Sequence, residues 1–203
     1  NSSGTTPLAI ACQSGHTDCV HGLLYAKATV DHPNNDEGNT PLLLATMDGN
    51  ERIIRLLLEF NASVNLPNTA GCTPLIYACA EADFSTHAGC VELLIDAKAV
   101  VDTPDKDGNT ALFGAAAQGN LDLVKKLVQL GAQSFHRNTN GVTPLGMATK
   151  HGQTATAQYL RTRRQGRASS DNAAKPVSEE ERLAAEKAAE LAAAALLAEE
   201  EKD

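Results

Sequence analysis

The chain has no tryptophan, and aromatic residues make up only 3% of its 203 residues. Large central cores lean on bulky aromatic side chains. Their scarcity points instead to thin layers filled by small and medium residues. Positive charge is also in deficit: 17 Lys and Arg stand against 25 Asp and Glu, a formal net charge of −8. A general nucleic-acid binder needs a basic face to neutralise phosphates, so that class is set aside. No apolar run reaches the roughly 18 residues that a membrane-spanning helix requires, so no direct membrane insertion is expected. The opening residues carry no signal-peptide pattern. The sequence begins without Met, directly on a repeated motif, as an internal start does. The expected location is intracellular, in the cytoplasm first. An organelle stays open as the alternative, because a targeting segment can precede the sequence in hand.

Catalytic signatures are missing too. The five cysteines, Cys12, Cys19, Cys72, Cys79 and Cys90, are odd in number and include no CxxC pair. That argues against both a disulfide framework and a zinc site. They read as small apolar residues packed between helices and kept reduced. None of the six histidines lies in a metalloprotease or nucleophile-elbow context. Glycine-rich phosphate loops are absent, since the repeated glycines belong to the motif described next. The reading is therefore of a chain without catalytic residues, cofactor, metal or small-molecule substrate.

What is present is a repeat. Gly4-Thr5-Thr6-Pro7-Leu8 returns as Gly38-Asn39-Thr40-Pro41-Leu42, Gly71-Cys72-Thr73-Pro74-Leu75, Gly108-Asn109-Thr110-Ala111-Leu112 and Gly141-Val142-Thr143-Pro144-Leu145. The steps between glycines are 34, 33, 37 and 33 residues. A fixed period of this size means a solenoid, and solenoids bind other macromolecules along an extended surface. Within one unit, Thr-Pro predicts a helix start: the hydroxyl caps free N–H groups, and Pro has no N–H to lose. The spacing predicts a first helix from Pro7 to Ser14, stopped by Gly15. It predicts a second from Asp18 to Ala26, with Cys19, Val20, Leu23 and Leu24 on one face.

The second unit, GNTPLLLATMDGNERIIRLLLEFNASVNLPN, resembles the ankyrin-repeat family. The resemblance runs over about residues 1–164 in five in-register copies. It implies an all-α ankyrin-repeat solenoid, with a β-turn finger plus two antiparallel helices per repeat. The units are expected at about 1–34, 35–67, 68–104, 105–137 and 138–164. A linker is expected over 165–177, and an Ala/Glu-rich single C-terminal helix over 178–203. Ser178 and Glu181 would form that helix's capping box. One departure stands out. The family's His after Thr-Pro-Leu, which ties adjacent fingers, is replaced by Ala9, Leu43, Ile76, Phe113 and Gly146. Asn65 resembles an asparagine that is hydroxylated in some ankyrin repeats, although Ser63 departs from the acidic residue usual there. A turn-forming Asn is the preferred reading.

Two units are irregular. The third carries four extra residues between its helices, within Glu81 to Gly89, expected as a projecting turn that displays Phe84. The fifth has a polar second helix, as a terminal unit needs. The first shows no such polarity and is expected to be covered by a neighbour.

In the family, partners meet the concave face made by finger tips and first helices. Carried over unit by unit, this gives Ser3, Thr5, Gln13 and Ser14, then Asp36, Glu37, Asn39, Met47 and Asp48. It continues with Thr69, Cys72 and Glu81, and with Asp83, Phe84 and His87 on the expected turn. Lys106, Asp107, Asn109 and Gln118 follow, then Asn140, Lys150 and His151. The implied function is a non-catalytic protein-protein interaction module, a scaffold or assembly subunit whose partners are one or more proteins. The alternatives are a targeting or chaperone factor that holds a client, or the regulatory ankyrin region of a larger enzyme or channel.

Overall fold

The computed structural model describes residues 5–34, 37–81 and 84–171. The chain divides into two units, Asn1–Arg163 and Arg164–Asp203. Among the described residues there are ten helices and no strand. The first helices of successive repeats are α1 (Pro7–Gln13), α3 (Pro41–Met47), α5 (Pro74–Ala80), α7 (Ala111–Gln118) and α9 (Pro144–Lys150). The second helices are α2 (Thr17–Tyr25), α4 (Glu51–Glu59), α6 (Phe84–Asp96), α8 (Leu121–Gln129) and α10 (Thr154–Asp171). None of the described helices is long and apolar enough to cross a membrane.

The helix starts follow from the repeated threonine. The Oγ1 atoms of Thr6, Thr40, Thr73 and Thr143 accept from the main-chain N–H of Ala9, Leu43, Ile76 and Gly146 at 3.1 to 3.3 Å. Each threonine is extended and followed by Pro at the first helical position. Second helices use a different cap. Asn50 and Asn120 Oδ1 accept from Ile53 N at 3.1 Å and Leu123 N at 3.0 Å. Glu51 and Asp122 in the first turn then face the positive helix end. Gly49 and Gly119 join the two helices of their units at φ of +67° and +77°, a conformation glycine adopts without a Cβ penalty.

First helices pack on one another in chain order, and α2, α4 and α6 form a second layer behind them. Leu8, Leu42, Leu75 and Leu112 fill the same place in successive units and are buried, as are Val20, Ile54, Val91 and Val124 behind them. The core is therefore a row of small layers rather than one centre, as the thin aromatic content implies.

The fingers are held by a main-chain pattern that repeats. Asn68 N, Asp105 N and Asn138 N donate to the carbonyls of Cys72, Asn109 and Val142 at 2.9 to 3.0 Å. Neighbouring fingers are joined by Thr69 N to Glu37 O, Lys106 N to Ala70 O and Thr139 N to Asp107 O, at 2.9 to 3.0 Å. Asparagine side chains also join neighbouring fingers. Asn68 Nδ2 donates to Asn39 Oδ1, and Asn138 Nδ2 to Asn109 Oδ1, both at 2.9 Å.

Two expectations change. α2, α4 and α8 have 9 residues each, whereas α6 has 13. The four additional residues of the third unit are close to one helical turn of about 3.6 residues. They lengthen α6 at its start rather than forming a projecting turn. α10 runs on through Asp171, so helix covers the first part of the stretch read as linker. The helix expected over 178–203 lies outside the described residues.

Candidate interaction surface

The fingers and first helices of successive units place the candidate residues in corresponding positions. Gln13, Met47 and Lys150 end α1, α3 and α9. Ser14, Asp48, Glu81 and His151 follow as the C-caps of α1, α3, α5 and α9, and Gln118 closes α7. Gln13, Ser14, Asp48, Gln118, Lys150 and His151 are exposed, and Met47 is 37% exposed. At the finger tips Glu37, Thr69, Lys106, Asp107 and Asn140 are exposed, while Thr5, Cys72 and Asn109 are half-buried, as is Glu81 at the end of α5. Ser3, Asp36 and Asp83 lie outside the described residues. Phe84 opens α6, and its side chain lies outside them too.

Two candidates are placed inside the protein instead. Asn39 is 1% exposed. Its Nδ2 donates to Glu37 Oε2 at 2.7 Å and lies 3.8 Å from Met47 Sδ, while its Oδ1 receives Asn68. It is a structural link between fingers. His87 is 6% exposed, with its ring 6.4 Å from that of Tyr77. The helical turn added to α6 carries it inward, away from the surface that a projecting turn would have given it. Asn65, singled out for modification, accepts from Val100 N at 2.8 Å and so joins the loops of adjacent units.

Some exposed candidates also carry structure. Thr69 Oγ1 donates to Glu37 O at 2.7 Å. Gln118 Nε2, at the end of α7, donates to Ala80 O at 2.6 Å, and Gln153 Nε2, just before α10, donates to Ala117 O at 3.1 Å. Both bonds end on the carbonyl near the end of a first helix, α5 and α7, but they come from different places in the following unit.

Tyr77 is the residue that sequence reasoning missed. It stands where Ile10, Leu44, Gly114 and Met147 stand in the other units, a position that reads as internal. The structure leaves it half-buried. Burial, then a hydrogen bond to Glu81 and the Glu81 charge, push its hydroxyl up to about 12. Cys72, at the finger of the same unit, is pushed up to about 11 by burial and by the charge of Asp105. Cys12 and Cys79 go up to about 12 through burial alone. A neutral phenol and neutral thiols beside carboxylates offer hydrogen bonds and apolar area, not nucleophiles. Among the described residues no group of three or more His, Cys, Asp or Glu could hold a metal ion.

At the first unit, Ile10 is 45% exposed and Cys19 is exposed. Ile53, Cys90, Leu123 and Thr156, at the position of Cys19 in the later units, are all buried. Of these corresponding positions, only that of Cys19 is exposed.

Comparison with known proteins places this architecture. A family model described as "Ankyrin repeats (3 copies)" matches residues 27–105 and 80–169, and one described as "Ankyrin repeat" matches residues 3–35. Inversin of Gallus gallus is 37% identical over 81 residues, 40% of this chain and 7% of that protein. Ankyrin repeat domain-containing protein 63 of Homo sapiens is 34% identical over 90 residues, 44% of this chain and 24% of its own. Protein phosphatase 1 regulatory subunit 27 of Mus musculus is 41% identical over 63 residues, 31% of this chain and 41% of its own. In each case the match spans well under two thirds of the relative's length.

Proposed function

Since the chain belongs to the ankyrin-repeat family, we propose that it is a non-catalytic protein-protein interaction module, a scaffold or assembly subunit of a larger complex. Its partner sits on the face made by the fingers and first helices. The observation that carries this reading is a contrast between two sets of corresponding positions. Leu8, Leu42, Leu75 and Leu112 keep the same residue type and are buried. At the ends of the first helices the corresponding residues are Gln13, Met47, Ala80, Ala117 and Lys150, which span four residue types and, apart from the half-buried Ala117, are exposed. A framework that holds its shape while varying the chemistry of one exposed row is suited to reading a partner's surface. A subunit role agrees with one relative, which is by name a regulatory subunit.

The repeat array is proposed to end near Arg164, and residues beyond Asp171 to contribute nothing to its stability. Deleting 172–203 should leave the melting temperature unchanged.

The test is affinity capture with quantitative mass spectrometry. The whole chain is compared with a Met47→Ala, Lys106→Glu, Lys150→Glu variant that melts at the same temperature. Partners captured by the chain and lost by the variant bind through this face. An unchanged set of partners refutes the reading.

A further inference from the structure

The charged residues of the fingers and first helices are distributed unevenly along the array. Residues 34–48 hold Asp36, Glu37 and Asp48 and no Lys or Arg. Residues 68–81 hold only Glu81, and residues 105–118 hold Asp105 and Asp107 against Lys106. Residues 138–151 reverse the sign, with Lys150 and no acid. Five carboxylates among the described residues, with Asp36 beside them in sequence, therefore stand against one ammonium in these three segments. Among the described residues the ion pairs fall on second helices, Glu51 with Arg55, Asp122 with Lys125 and Glu92 with Lys126. None neutralises this face.

Several of these carboxylates are held in place. Glu37 receives Asn39 Nδ2 at 2.7 Å, and Glu81 is hydrogen-bonded to Tyr77. Apolar surface lies between them. Met47 is 37% exposed, and Tyr77 is half-buried. Their relative position follows from the repeat. A Cβ on Gly114 would lie 2.8 Å from Ala80 Cα, so that position of α7 meets the end of α5. One unit earlier the same two positions are Tyr77 and Met47, where α5 meets α3. Apolar surface there is flanked by Glu37 on the finger side and by Asp48 and Glu81 at the helix ends.

We propose that this face takes an extended, basic stretch of polypeptide, with one apolar side chain seated at Met47 and Tyr77. Lys or Arg on either side of it meets Glu37 in one direction and Asp48 and Glu81 in the other. The proposal rests on the reading of this face as the partner surface and names the chemistry of what it reads. The register is constrained. The seven residues of α3 span about 10 Å at 1.5 Å per residue, and an extended chain covers this in about three residues. The basic residues therefore stand within about three positions of the apolar one. Lys150 repels the basic stretch at the fifth unit and confines it to the second to fourth.

The experiment selects a phage-displayed library of random peptides on the whole chain at physiological salt. The most enriched sequence is then made as a fluorescent synthetic peptide. Its affinity is measured for the chain, for Met47→Ala, and for the triple variant Glu37→Gln, Asp48→Asn, Glu81→Gln. A control triple on the second helices, Asp18→Asn, Glu59→Gln, Asp96→Asn, removes the same charge elsewhere. The expected result is enrichment of Lys or Arg flanking an apolar residue. The face triple should weaken binding at least ~tenfold, about 1.4 kcal/mol, and the control triple by no more than about twofold. Enrichment of acidic or uncharged peptides that still lose affinity with Met47→Ala overturns the proposed chemistry and leaves the face as the partner surface. Basic peptides weakened equally by both triples are held by net charge alone, which also overturns it. Peptides insensitive to every substitution on the face remove both readings.

Discussion

Gly114 brings α7 directly against the backbone of Ala80: a Cβ there would lie 2.8 Å from both the Cα and the N of Ala80, and 2.9 Å from the carbonyl carbon of Cys79. Real Cβ atoms do not approach backbone so closely, and no flexible side chain is present to yield. Gly114→Ala should therefore destabilise the array although alanine is the better helix former. Overpacking costs about 1–3 kcal/mol, and the propensity gain returns about 0.5–1. Urea unfolding should show a lower midpoint, and an unchanged or raised one would show that the two helices separate freely. Gly22, whose Cβ would meet nothing within 4 Å, is the matched control, where Gly22→Ala should stabilise.

Lys27 and Lys98 sit in the left-handed region, at φ of +62° and +67°, just after α2 and α6. The corresponding position after α4 is Asn61 at +61°, and after α8 it is Gly131 at +100°. A left-handed residue with a Cβ costs about 1–2 kcal/mol, and asparagine tolerates the conformation better than lysine. Lys27→Gly and Lys98→Gly should each raise stability by up to about 1 kcal/mol once glycine's greater freedom in the unfolded chain is set against the relief. Asn61→Gly should gain less. Calorimetric melting of the single and double variants checks the order, and a loss of stability in both lysine variants would refute it.

Much of the array was legible in the sequence, because many of the boundaries have a residue whose chemistry requires it. Thr-Pro marks the start of α1, α3, α5 and α9, and the glycines after the first helices mark where they turn. The added turn of α6 was not legible. Ser85, Thr86, His87 and Gly89 are weak helix formers, so the stretch reads as loop despite Ala88, and packing against α4 and α5 overrides that preference. Asn39 was read as a surface group because finger residues are generally exposed. Its burial depends on Asn68, 29 residues away, and such a partnership has no local signal. Tyr77 was passed over for the opposite reason. Its position is apolar in the other units, and only the structure shows that it stays half-buried and bonded to Glu81.

Four thiols lie above the ordinary value of 9.0, Cys12 and Cys79 at about 12, and Cys72 and Cys90 at about 11. Burial is the leading cause in each case, because the interior disfavours the thiolate. The folded state therefore keeps protons that the unfolded chain releases from about pH 9 upward. The stability held by the neutral thiols is fully present below pH 9 and is lost as pH rises toward 11–12. Urea midpoints should be level from pH 7 to 8.5 and fall steeply between pH 9 and 11. Cys79→Ala should lower the midpoint at pH 7 through lost packing, yet fall less steeply with pH than the parent. Parallel slopes would show that these thiols do not set the alkaline limit.

Thr110 departs from the other capping threonines. Its Oγ1 is buried without a hydrogen-bond partner, and the residue is 2% exposed. At Thr73 the same atom accepts from Ile76 N at 3.3 Å, whereas at the fourth unit Phe113 N bonds the Thr110 carbonyl at 2.9 Å instead. The fourth unit is also the one with Ala111 in place of Pro, so neither the proline nor the side-chain cap fixes the start of α7. A buried hydroxyl without a partner carries a desolvation penalty of about 1–3 kcal/mol, while removing a working cap costs about 1. Thr110→Val keeps the shape and deletes the unpartnered group, so it should be neutral or stabilising. Thr73→Val deletes a bonded group and should destabilise by about 1 kcal/mol. The difference between the two variants, measured by urea unfolding in the same buffer, isolates the missing bond because both replace a buried threonine at the same place in the repeat. Equal losses at the two sites would mean that the Thr110 hydroxyl is bonded in solution.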